Sequence, residues 1–174
     1  GEHFEVQSAK VWDVPETLPD IGIAVSGNQS CRLAGELADV MIAVEPKPEL
    51  GEAFDAAGGT GKPRIGQLPV SFDADADAAL ARAHDQFRWF GGGWKVNSEL
   101  PGTAAFDAAS QFVRPEDVGD SIPCGDDVDR VVAAVKEFAD AGFTHVALVQ
   151  IGADQQRPFI EWAPKGLLDA IRAL

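Results

Sequence analysis

The sequence is short of the features that mark several large protein classes. No apolar run approaches the ~18 residues that a membrane-spanning helix needs, and no signal-peptide pattern opens the chain. A cytoplasmic protein without a membrane partner is expected. Cysteine is scarce. Cys31 and Cys124 belong to no C-x-x-C pair or Cys/His cluster, which argues against a structural zinc site and for two reduced, partly buried thiols. His3, His84 and His145 make no base–nucleophile arrangement with any Ser or Cys. His84 falls mid-helix and His145 at the start of a strand, positions that predict structural roles. The phosphate-loop, G-x-G-x-x-G and G-x-S-x-G motifs are all missing. Basic residues are few, 14 against 28 acidic, for a formal net charge of −14. That surplus repels phosphate and argues against nucleic acid or an anionic membrane as partner. It reads as a solvated acidic surface, of a kind that also stays hydrated in a high-salt cytoplasm.

What is present is ordinary globular material. Of 174 residues, 45% are hydrophobic and 24% charged, enough for one domain with a real core. The chain opens on Gly1 and not Met, which suggests processing, trimming or excision from something longer.

Residues 4–14, FEVQSAKVWDV, hold β-formers in irregular alternation, and Pro15 and Pro19 follow. An extended excursion over 4–19 is expected, with or without a hairpin. Short apolar runs predict buried strands at 21–27, 40–45, 64–72 and 144–152, the third bent at Pro69. Apolar positions at three- and four-residue spacing predict helices over 29–39, 48–57, 75–90, 126–141 and 157–174. Residues 91–127 form a long insertion with a helix at 103–112 and a further turn at 115–120. A connection of this length inside a compact domain usually serves function. The order β-α-β-α-β-(insertion)-α-β-α demands a parallel sheet with helical crossovers. A small doubly wound domain and half of an eight-stranded barrel both satisfy it, although a free sheet would leave two long apolar edges.

Ligands of parallel α/β folds bind at the carboxyl ends of the strands. That rule selects Ser26-Gly27-Asn28, Glu45-Pro46-Lys47, the residues after Phe72, and Gln150-Ile151-Gly152. Ser26-Gly27-Asn28 joins a buried strand to a helix, so free backbone N–H groups and the positive helix end can face a phosphate there. A tight turn without a ligand explains it equally well. Lys47 lies at the same face of the sheet, and Lys95 sits in the insertion among glycines and aromatics. Each is a point charge suited to an anion or a plain surface lysine. Carboxylates are too numerous for any pair to be singled out, so the residues alone name no acid or base.

The stretches IGIAVSGN, LAGELADV, EAFDAAGG, VRPEDVGDSIPCGDD and EFADAGFTHVALVQIGADQ run in family order across nearly the whole chain. Together they resemble the coenzyme F420-dependent oxidoreductases of the luciferase-like superfamily, in the group related to F420-dependent glucose-6-phosphate dehydrogenase. The resemblance implies a (β/α)8 TIM-type barrel of roughly twice this length. Residues 1–174 would be its C-terminal half, strands five to eight. The implied reaction is hydride transfer between an alcohol or sugar-phosphate-like substrate and the deazaflavin. The full-length protein is expected to be a homo-oligomer acting on a small molecule, phosphorylated or not.

By the same resemblance, Val25, Ser26 and Gly27 correspond to the backbone turn that holds the deazaflavin near its phosphate, with Asn28 in place of a common proline. Lys47 and Lys95 correspond to two lysines that hold the sugar phosphate. An assisting arginine is replaced, Asp120 and Ser121 being nearest, and Val44 stands where a threonine is usual. The family's catalytic His, Trp and Glu belong to the first half of the barrel. No catalytic residue is therefore expected here, and the isolated chain is expected to be inactive. Flavin mononucleotide (FMN)-dependent monooxygenases use the same barrel, so FMN is the alternative cofactor. A half-barrel that binds a ligand or pairs with a second copy, without catalysis, is the third alternative.

Overall fold

Four runs of small and β-branched apolar residues become the four expected strands. A computed structural model describes residues 2–10 and 12–174; Gly1 and Val11, one the start of the chain and the other part of the 4–14 stretch, lie outside the described residues. The strands are β1 (Gly22–Ala24), β2 (Val40–Ala43), β3 (Arg64–Val70) and β4 (His145–Gln150). All pair in parallel, in the order β1-β2-β3-β4. Ala24 is level with Ile42, Ile42 with Ile65, and Ile65 with His145. One hydrogen-bonded row thus meets β1 at its carboxyl end and β4 at its amino end, the stagger of a barrel wall.

Helices cover one face only. They are α1 (Asn28–Leu37), α2 (Pro48–Phe54), α3 (Ala76–Phe87), α7 (Val128–Asp140), α8 (Gln156–Trp162) and α9 (Leu167–Arg172). Met41, Ala43, Leu68 and Val70 of the sheet pack there with Cys31, Leu50, Phe54, Val131, Val135, Phe138 and Leu167. The apolar spacing in α7 turns Val131, Val135 and Phe138 onto the strands, and Asp127 caps the helix by accepting from the N–H of Asp129 and Arg130. At the end of α1, Lys62 Nζ donates to the carbonyls of Gly35 (2.8 Å) and Ala38 (2.9 Å), groups the helix itself leaves open.

The insertion contributes α4 (Gly93–Asn97), α5 (Thr103–Ser110) and α6 (Pro115–Ser121). It packs on α3 through its own small core, in which Ala79 and Ala83 meet Val118, Ile122 and Ile151. Asp117 caps the start of α6, and hydrogen bonds from Arg114 hold its carboxyl down to about 2. The segment returns to the point it left: Ser71 N donates to Pro123 O, and Gly125 N donates to Ser71 O.

One expectation needs correcting and two are narrowed. Pro69 does not interrupt β3, which pairs with β4 as far as Val70. Alternate residues of a parallel strand point their N–H and C=O to opposite neighbours. Val70 O receives Ile151 N on the β4 side, so position 69 faces β2, which has already ended at Ala43, level with Gly66. The missing N–H therefore costs no ladder bond. The final helix is not continuous over 157–174. Pro164 lies in a single 3₁₀ turn, and Gly166 at φ +140° separates α8 from α9. Residues 2–10 and 12–20 carry no strand and are exposed, so of the two forms expected for the excursion the described residues show the one without a hairpin.

Gly66 marks the closest approach of β3 to α7: an added Cβ would lie 2.3 Å from Phe138 Cδ1. Gly66→Ala is expected to destabilise the fold by ~1–3 kcal/mol through overpacking. The check is a lower urea midpoint at unchanged slope.

Candidate functional site

The best-formed candidate lies where β1 passes into α1. Val25 is buried, and Gly27 at φ −170° is ordinary extended backbone preceding the helix. No acidic residue occupies the first turn of α1. The N–H groups of Asn28, Gln29 and Ser30 have no acceptor within the helix, and the helix dipole adds roughly half a positive charge at this end. A Cβ at Gly27 would meet nothing within 4 Å, so the space above the turn is open. An open cleft there is lined by Ser26 to Ser30.

The turn itself is less free than expected. Ser26 N and Gly27 N donate to Ser30 Oγ at 3.1 and 3.3 Å, and that hydroxyl donates to Gly27 O at 2.9 Å. The backbone N–H groups left open here are therefore those of the first turn of α1, with Val25–Gly27 beside them. The signal was visible in SGNQS: a serine three residues past the start of a helix commonly reaches back to its cap.

Beside the turn, Ala24, Ser26, Ile42, Val44 and Gln67 line a shallow depression on the open face of the sheet. One strand over, Lys47 caps α2, with its Nζ 3.0 Å from Glu45 Oε1. Lys95 sits in α4, exposed, on the insertion. Among the described residues, no hydrogen bond, ion pair or shared cavity joins Lys95 to Lys47 or to the turn. Val25, Ser26, Gly27 and Lys47 are thus brought to one edge, and Lys95 is not joined to them.

The two remaining strand ends hold each other. Gln150 Oε1 accepts from Phe72 N at 2.9 Å, and Gln150 Nε2 donates to Ile151 O at 2.7 Å. Ser71, fully buried, donates to Ala79 O at 2.8 Å. Arg82 donates to Phe72 O at 3.1 Å and pairs with Asp73 at 2.5 Å. The reading of strand ends singled out both places but missed Arg82, which reaches them from the second turn of α3. They form a lock between the sheet and α3.

Other groups add little chemistry. A further cleft of about 360 Å³, between the end of α3 and the insertion, is lined by Arg88, Trp89, Phe106, Asp85, Thr103 and Asp107. Its guanidinium is already paired with Asp107, and its carboxylates outnumber it. Cys31 and Cys124 are buried and unbridged, and burial pushes both thiols up, away from reactivity. No group of three His, Cys, Asp or Glu residues among those described could hold a metal ion.

Comparison with known proteins places this geometry. The profile of the luciferase-like monooxygenase family matches residues 1–145. The chain belongs to that family. Among curated relatives, the F420-dependent glucose-6-phosphate dehydrogenase 2 of Rhodococcus jostii (strain RHA1) is 27% identical over 100% of this chain and 55% of its own length. The enzyme called F420-dependent glucose-6-phosphate dehydrogenase in Mycolicibacterium gilvum (strain PYR-GCK) is 26% identical with the same coverage. The chain thus spans about half the length of the curated relatives it matches. Of solved structures, an F420-dependent secondary alcohol dehydrogenase bound to an F420-acetone adduct superposes with a TM-score of 0.75 at 17% identity, covering 98% of this chain and 54% of that one. The coenzyme F420 dependent tetrahydromethanopterin reductase of Methanopyrus kandleri gives 0.60 at 21% identity, covering 87% and 51%. The luciferase-like chain is therefore α/β, and its four β/α units have the fold of half a TIM-type barrel. Among the described residues, no helix is long and apolar enough to cross a membrane.

The Arg82 lock carries a pH signature. A hydrogen bond from Arg82 holds the Asp73 carboxyl below its ordinary range. Such a group contributes stability above its unfolded-state pKa of about 3.9 and loses it as pH falls through the folded value. Arg82→Met is expected to cost ~1–3 kcal/mol near neutrality. The gap between the two proteins, measured by urea titration, should narrow as pH drops below about 4.

Proposed function

We propose that this chain is the C-terminal half of an F420-dependent oxidoreductase barrel, strands five to eight. It would hold the anionic parts of cofactor and substrate while the other half handles protons. The observation that carries this reading is the first turn of α1, free of acidic residues, with open space above Gly27, in a chain similar to curated enzymes named F420-dependent. In it, the N–H groups of Asn28, Gln29 and Ser30, supported by Val25, Ser26 and Gly27, hold the phosphate of the deazaflavin. The deazaflavin, when bound, exchanges a hydride with a substrate carbon. Groups that grip phosphates supply orientation and binding energy but move no proton, so no catalytic acid or base is assigned here.

Lys47 and Lys95 are the proposed grips for an anionic substrate. Lys47 has to leave Glu45 to serve in this way. The substrate class is an alcohol or a sugar phosphate. Glucose 6-phosphate itself is disfavoured because Asp120 and Ser121 stand nearest the place of the assisting arginine and Val44 replaces the usual threonine. The full barrel is proposed to be a cytoplasmic homo-oligomer. FMN is the competing cofactor, since fold does not choose between them.

Cofactor choice is tested by equilibrating a polypeptide that carries these units within a complete eight-stranded barrel against F420 and against FMN. Retention of F420 alone supports the reading. Retention of FMN with indifference to F420 overturns it. In the same protein, Lys47→Ala is expected to raise the apparent KM for a phosphorylated substrate about ten- to a hundredfold, with a smaller loss of kcat. Equal kinetics for phosphorylated substrates in both proteins would remove Lys47 from the site.

A further inference from the structure

In a chain with 28 acidic residues against 14 basic ones, an arginine is seldom left alone. Arg64, Arg82, Arg88, Arg114, Arg157 and Arg172 each hold an ion pair, and Arg130 donates to Gly119 O. Arg32 is the exception. Its guanidinium is exposed and, among the described residues, has no ion pair and no hydrogen bond. Glu36 follows four residues later, the less favourable order for a helical pair, and does not bond it. Arg32 lies one turn beyond Asn28 on α1, about 6 Å along the helix from the start of the turn with open N–H groups.

This unpaired cation borders a cleft of about 260 Å³. Asn28, Arg32 and Glu36 of α1 form one wall, and Ala53 of α2 with Ala56 and Ala57 of the π turn that ends it (Asp55–Gly59) form the other. The two helices touch at the far end, where a Cβ on Gly35 would lie 2.7 Å from both Phe54 O and Ala57 Cβ. At the near end, Asn28 also lines the cleft over the β1–α1 turn, so the two spaces meet there. Both walls belong to this chain, in the helical layer and away from the open face of the sheet.

A groove that leads off the phosphate turn and carries an unpartnered guanidinium suits a ligand with two anionic groups in sequence. The first is a phosphate at the helix end. The second, a carboxylate about one turn farther on, meets Arg32, whose planar fork can donate to both of its oxygens. Coenzyme F420 has this form, because its phosphate is a diester that continues into a lactyl-glutamyl tail of carboxylates. FMN ends at its phosphate and offers Arg32 no second anion. We propose that Arg32 binds a carboxylate of the F420 tail in the cleft between α1 and α2, and so favours F420 over FMN. The inference rests on the proposed cofactor reading and deepens it. Glu36 repels an anion farther along, which keeps the carboxylate at the Asn28–Arg32 end, and the alanine wall brings no competing charge.

The test is equilibrium binding to a complete eight-stranded barrel that carries these units, read by deazaflavin fluorescence. Two probes are compared: F420, and the corresponding deazariboflavin 5′-phosphate, which keeps ring and phosphate but has no carboxylate. Arg32→Gln is expected to raise Kd for F420 about three- to tenfold and to leave Kd for the tail-less probe within about twofold. Arg32→Lys should recover part of the loss. Ala56→Asp leaves Arg32 in place but adds a carboxylate to the facing wall, and should weaken F420 by a similar factor, again without effect on the tail-less probe. Both losses should shrink at about 1 M salt, where the Debye length is about 3 Å. Unchanged F420 binding by Arg32→Gln overturns the proposal. So does an equal loss for both probes, which would put Arg32 on the phosphate or on the fold. Indifference of the unaltered barrel to both deazaflavins overturns the cofactor reading and this assignment with it, an outcome distinct from normal F420 binding with a silent Arg32.

Discussion

The demand that a parallel sheet be buried on both faces governs this structure. Helices satisfy it on one side, with Met41, Ala43, Leu68 and Val70 set against Leu50, Phe54, Val135 and Phe138. On the other side the same strands present an apolar, uncharged wall on which Ala24, Val44 and Ala147 are exposed. The stagger from Ala24 to His145 curves that wall and gathers the carboxyl ends of four strands around part of a mouth. What the chain offers chemically is accordingly partial. Among the described residues it presents a helix end with open backbone N–H groups, a lysine one strand over and an insertion whose end pairs with Ser71 of β3.

Much of this was legible from periodicity. The four strands and the amphipathic α1, α3 and α7 follow directly from apolar spacing, because tertiary burial at those positions reinforces the local pattern. Boundaries and exceptions were harder, since they depend on neighbours. Pro69 looked like a fault until pairing showed its missing N–H facing a strand that had already stopped. Pro164 and Gly166 were strong local signals against one long final helix, and the periodic run masked them. At the candidate site, strand-end logic pointed to this turn but did not foresee that Ser30 takes two of its backbone donors, those of Ser26 and Gly27. The role of Arg82 was not readable at all. It exists only because α3 lays its second turn over the ends of β3 and β4. The half-barrel itself was decided by resemblance, because the spacing of elements allowed a small doubly wound sheet as well.

Electrostatics then ranks the groups that can hold an anion. A chain with twice as many acids as bases surrounds most of its cations with carboxylates: Lys47 has Glu45, Arg64 has Asp55, Arg82 has Asp73 and Arg88 has Asp107. Each such cation must shed or share a partner before it can bind a ligand, which reduces its worth as an anchor. The first turn of α1 has no such competitor. Its positive potential comes from backbone dipoles that cannot be neutralised by rotating a side chain, and no acid sits within that turn. On the proposed reading, the main chain at this turn would be the stronger and less selective anchor, suited to the phosphate of the cofactor. Lys47, paired with Glu45, would be the weaker but more discriminating one. On that division the acidity of the chain would raise specificity, because a neutral or weakly charged ligand would not displace Glu45.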